Sequence, residues 1–100
     1  MIYELLAEYC KVQLEKNKGF CRRIQKEELL EAAGGGDESC IRMIRVARME
    51  EFERALDRLC RDQILSPVAS SKVRRAAVPS YEKYLLNGKS RTKEYDSGYQ

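Results

Sequence analysis

The stretch MEEFERALDRLCRDQILSPVASSKVRRAAVPS, residues 49–80, decides the fold. Its first half places Phe52, Ala55, Leu56, Leu59, Cys60 and Gln63 at the three- and four-residue spacing that puts side chains on one face of a helix. Glu50 and Glu51 lie in the first turn and Arg58 and Arg61 towards the end, which complements the helix dipole. A well-specified helix is therefore predicted from Met49. After it, Ile64 to Val68 and Val73 to Pro79 are two short apolar runs joined by the polar connection Ala69 to Lys72. That pattern predicts a β-hairpin, confined by Pro67 and Pro79 to a sheet edge. A helix running directly into a basic hairpin predicts a winged helix-turn-helix: mostly α, a three-helix core plus a wing.

Working outward, Ile2, Leu5, Leu6, Tyr9 and Val12 share one helical face over residues 2–16, and Asn17-Lys18-Gly19 ends that first helix. After Phe20 and Cys21 a second helical pattern runs through Ile24, Leu29, Leu30 and Ala33, and Gly34-Gly35-Gly36 opens a loop expected at 34–39. Residues 40–46 fit either a strand, by alternation of Ile44 and Val46 about Arg45, or a helix, through Ile41, Ile44 and Ala47; the strand is the expectation. Ser80 is expected to cap a short last helix through Tyr81, Tyr84, Leu85 and Leu86, which Asn87-Gly88 would end. The domain is thus expected over 1–86, with a flexible tail at 87–100.

One hundred residues, 43% hydrophobic and 35% charged, suit a single packed domain with a real core. No run of about 18 apolar residues occurs and the start is not that of a signal peptide, so no membrane partner and an intracellular location are expected. Cys10, Cys21, Cys40 and Cys60 are widely separated, with no CxxC pair and no histidine, and read as buried thiols in preference to disulfides or a metal set. Without a histidine, a paired-carboxylate motif or a phosphate loop, no catalytic residue, cofactor or metal is expected. Gly34-Gly35-Gly36 follows a helix and lacks the Lys-Ser/Thr of a phosphate loop, so it reads as a linker.

The formal charge of +3 is unevenly spread. Residues 1–65 hold 12 basic and 13 acidic side chains, residues 66–100 hold 7 and 3. The hairpin and its flanks hold Lys72, Arg74, Arg75 and Lys83, followed by Lys89, Arg91 and Lys93, and cations at a hairpin tip can reach phosphates and release counterions, giving salt-sensitive, sequence-independent binding. Solvation of an ordinary charged turn is the competing reading. On the third helix Arg54 and Arg58 are the best candidates for contact. Glu50, Glu51, Glu53 and Asp57 on the same solvent face would repel a duplex, and intrahelical pairing competes for the arginines. Two roles are open: binding of double-stranded DNA through the wing, or docking of a partner subunit through the third helix or through exposed Val73 and Val78.

Residues 1–9, MIYELLAEY, together with residues 52–68, FERALDRLCRDQILSPV, resemble the C-terminal winged-helix domain of origin recognition complex subunits, the fourth subunit most closely. The resemblance implies a DNA-replication module of a larger nuclear, ATP-dependent complex. Its nucleotide site would lie in another domain, and its partners would be DNA and neighbouring subunits. By position it matches Lys72, Arg74 and Arg75 to a DNA-facing hairpin and Arg54 and Arg58 to the third helix.

Overall fold

Ile2, Leu6 and Cys10 recur every fourth residue along α1 (Ile2–Lys16) and are all buried, so the first helix is held by one apolar stripe. The computed structural model describes residues 1–74 and 76–90. α1 ends where Lys18 and Gly19 take left-handed backbone, φ 58° and 83°, and the Asn17 amide donates to the carbonyls of Phe20 and Cys21. The chain then runs extended as β1 (Arg22–Gln25) before α2 (Lys26–Ala33), which buries Leu29, Leu30 and Ala33. The second helix is thus shorter than its sequence pattern suggests. Ile24 is the one buried residue of β1 and leaves too weak an alternation to separate strand from helix.

The glycine turn is also shorter than expected, because the Asp37 carboxylate accepts the Ser39 N–H at 2.8 Å and starts α3 (Glu38–Ala47) at once. The strand expected at 40–46 is therefore a helix. Ile41 and Ile44 turn toward the core, while Val46, which alternation would have buried, is 79% exposed. α4 (Met49–Arg61) follows after Arg48 and buries Phe52, Ala55, Leu56 and Leu59 against α1.

β2 (Leu65–Pro67) does not pair with residues 73–78, as the hairpin reading expected, but with β3 (Lys83–Leu86). The helix expected after Ser80 is therefore a strand. Tyr84 and Leu86 alternate inward, and the Tyr84 hydroxyl accepts the Tyr81 N–H at 3.0 Å, so the buried phenol is satisfied. β3 lies between the other two strands in an antiparallel sheet of order β1-β3-β2. The long connection 68–82 joins β2 to β3, has a 3-10 turn at Ala69–Ser71 among its described residues, and returns through buried Val78 and Ser80. Ile24, Leu65, Tyr84 and Leu86 line the inner sheet face and meet the apolar stripes of α1, α2 and α4 in one core.

The order helix, strand, three helices, strand, loop, strand thus builds a mostly helical domain with a small sheet. Beyond the expected boundary at 86, Asn87 N–H donates to Ile64 O, and Cys21 and Lys89 exchange hydrogen bonds with each other's neighbourhood, Cys21 N to Lys89 O and Lys89 N to Gly19 O. Residues 91–100 of the expected tail lie outside the described residues, as does Arg75. Among the described residues no helix is long and apolar enough to cross a membrane.

Candidate nucleic-acid interface

The arginines of α4 are held by carboxylates of their own neighbourhood. Arg54 reaches Glu50 at 2.9 Å, Arg61 reaches Asp57 at 3.2 Å, and Arg48, just before the helix, reaches Glu51 at 2.7 Å. Arg58 lies 3.9 Å above the centre of the Tyr3 ring and 4.0 Å from Asp62. The Tyr3 hydroxyl donates to that same Asp62 at 2.6 Å, and this bond raises the phenol pKa. Arg58 therefore belongs to a contact between α1 and the end of α4. Exposed pairs of this kind add little to stability, but each gives a cation a local anion that a phosphate must displace.

Glu53 does not share the solvent face assigned to it. It is buried and accepts from Lys26 Nζ at 3.0 Å and from Ser80 Oγ at 3.2 Å. Its partners stand 27 residues away on either side, so no local spacing in the sequence signals the arrangement.

The cations of the β2–β3 connection differ from those of α4. Lys72 and Arg74 are exposed and enter no ion pair with the described residues. Their backbone is nonetheless built: Val73 N–H donates to Ser80 O at 2.8 Å, Glu82 N–H to Ser71 O at 2.9 Å, and Ser71 Oγ to Val68 O at 2.7 Å. Lys72 itself bridges to Tyr81. Val78, expected to be exposed, is buried at 7%, and Val73 is half-buried. The structure thus keeps Lys72 and Arg74 on the β2–β3 connection and Arg54 and Arg58 on a helix, in two different electrostatic states.

Comparison with known proteins finds no matching family model, no matching curated protein and no matching solved structure.

No group of three or more Cys, Asp or Glu side chains placed to hold a metal occurs among the described residues. The cysteines are free thiols, but only Cys10 is buried; Cys21 and Cys60 are half-buried and Cys40 is exposed. Burial pushes the Cys10 and Cys60 thiols up to about 11, away from the thiolate state that a nucleophile needs.

A second surface stands out. Between the start of α1 and α3 lies a groove of about 450 Å³ lined mainly by apolar side chains, among them Leu5, Cys40, Met43 and Ile44, with Arg48 beside it. Met43 is 57% and Leu5 45% exposed. Sequence reasoning missed this groove because it read residues 40–46 as a strand.

Proposed function

We propose that this chain is a non-catalytic winged-helix domain that holds duplex DNA by its phosphate backbone, mainly through the wing residues Lys72, Arg74 and Arg75. The partition of cations carries the reading. The α4 arginines are neutralised by Glu50, Asp57 and Asp62, whereas Lys72 and Arg74 stand exposed and unpaired among the described residues on a loop pinned at its base. The element order, with β2 and β3 paired and joined by a long connection directly after α4, supports the winged-helix reading. With the resemblance of residues 1–9 and 52–68 to origin recognition complex subunits, the proposal extends to a module of a multisubunit replication initiator in the nucleus. Fluorescence anisotropy of a labelled duplex over a salt series tests it. Lys72→Ala with Arg74→Ala should weaken binding and make the dependence of log K on log salt shallower, by about 0.9 per lost phosphate contact. An unchanged slope, or no binding by the unaltered protein at low salt, sinks the reading.

The groove between α1 and α3 favours a second reading, in which the domain docks an apolar helix of a neighbouring subunit there. Met43→Asp would abolish such docking and leave duplex binding intact; equal capture of that subunit by the variant would exclude it.

A further inference from the structure

The two-residue period of a strand separates Arg22 from Arg23. Arg22 lies on the helix side of β1, where it binds Glu28 at 2.9 Å. Arg23 points to the opposite, solvent-facing side of the sheet and is exposed, with no ion pair among the described residues. The same alternation in β3 buries Tyr84 and Leu86 and turns Lys83 and Leu85 outward. The register sets Arg23 beside Leu85 and Gln25 beside Lys83, and Ser66 of β2 flanks Leu85 from the other side. Arg23 and Lys83 are therefore diagonal neighbours on adjacent strands, about 7–8 Å apart at the backbone. Ser66 Oγ bonds the Asn87 side chain at 3.0 Å, which extends the polar surface beyond the end of β3.

The outward positions of the three strands thus hold Arg23, Gln25, Lys83, Leu85 and Ser66: two cations, two neutral hydrogen-bonding groups and no carboxylate. Glu82 precedes β3 and forms no ion pair with the described residues. Lys83 is also tied to the wing, since its carbonyl accepts the Val68 N–H at 3.2 Å and its N–H donates to Ser71 Oγ at 3.2 Å. The outer sheet face therefore borders the β2–β3 connection at Lys83. None of the five outward side chains is aromatic, so this face offers no platform on which unpaired bases could stack.

From this geometry we infer that the outer face of the sheet is a second phosphate-contact surface, with Arg23 and Lys83 as its anchors, so that a DNA duplex lies across wing and sheet instead of along α4. The inference rests on the wing reading and extends the footprint to a face that the helices do not cover. Base readout has no part in it, and binding there is backbone contact only.

The experiment is the same salt series on the full chain, with Arg23→Ala and Lys83→Ala made singly and together. Circular dichroism checks that each variant folds. Each substitution should make the salt slope shallower by about 0.9 and the pair by about 1.8. Single-stranded DNA of equal length should compete more weakly than the duplex. If the double variant keeps the parent slope while Lys72→Ala with Arg74→Ala loses it, the sheet inference fails and the wing reading stands. If the sheet variants lose slope and the wing variants do not, phosphate contact at Arg23 and Lys83 stands, while the path across the wing, and the wing reading with it, fails. Equal competition by the single strand overturns the duplex assignment for this face.

Discussion

Lys26 Nζ and Glu53 Oε2 meet at 3.0 Å with only 12% of each side chain exposed, and Ser80 Oγ lies within 3.4 Å of both charged groups. Three distant parts of the chain converge there: the first residue of α2, the second turn of α4, and the segment that leads into β3. A buried carboxylate without its cation costs far more than the pair contributes, because the desolvated charge has no other compensation. Lys26→Met or Glu53→Leu alone should therefore destabilise the domain by about 3 kcal/mol. The combination Lys26→Met with Glu53→Leu should lie close to the parent in urea unfolding. A double variant no more stable than the worse single would show that the two charges do not act as a pair.

The three successive glycines differ in what they require. A Cβ on Gly34 would stand 2.5 Å from a side-chain carbon of Ile41 and 3.0 Å from its backbone N, so α3 can approach α2 only over a bare backbone. Gly36 has φ 77° and open space around it, so only backbone strain opposes a side chain. Gly34→Ala should cost about 1–3 kcal/mol by overpacking, and Gly36→Ala about 1–2 kcal/mol by left-handed strain. Gly36→Asn should recover part of the second loss, since Asn tolerates that conformation, whereas Gly34→Asn should be worse than Gly34→Ala. Equal behaviour of the two sites in urea titrations would contradict this division.

Thiol chemistry gives a pH dependence of known sign. Cys10 and Cys60 ionise ordinarily at 9.0 but are pushed up to about 11 in the fold by burial. Between those values the unfolded chain releases protons that the folded chain keeps, so stability is full below about pH 9 and falls as the pH rises toward 11. Urea midpoints should drop between about pH 8 and about pH 10.5, and Cys10→Ala with Cys60→Ala should flatten that drop while lowering the starting stability. Iodoacetamide should label exposed Cys40 first and Cys10 only on unfolding. Early labelling of Cys10 would mean that the core opens at the α1 face.

How much of this was legible in the sequence depended on how many turns each pattern had in which to declare itself. α1 and α4 carry their apolar stripes through three or more turns, and both stand where the periodicity predicts them. β1 rests on a single buried residue, Ile24, and so merged with the helix that follows it. Residues 40–46 went the other way. Exposed Met43 and Val46 face the groove or solvent, and apolar residues outside the core blur both periods at once. The run Tyr81 to Leu86 is too short to separate the periods, and only pairing with Leu65 and Ile24 makes it a strand. At the candidate interface, the exposure of Lys72 and Arg74 on a polar connection was legible from local charge. Arg23 was not, because its exposure follows from a strand that the sequence concealed.

Arg58, a candidate for DNA contact, also takes part in a contact within the fold. Its guanidinium covers the Tyr3 ring at 3.9 Å while the Tyr3 hydroxyl holds Asp62, so cation, ring and carboxylate join the start of α1 to the end of α4. Arg58→Ala should lower the urea midpoint, though by less than Leu59→Ala, which empties a fully buried site at a cost of about 2–5 kcal/mol. Arg58→Lys should recover little of the loss, since an ammonium does not stack as a planar guanidinium does. In a double-mutant cycle with Tyr3→Leu the two losses should not add. Duplex affinity and its salt slope should stay at the parent value in Arg58→Ala, because on the wing-and-sheet path α4 meets no phosphate. A shallower slope in that variant, with stability unchanged, would return Arg58 to the DNA interface and move the duplex onto α4.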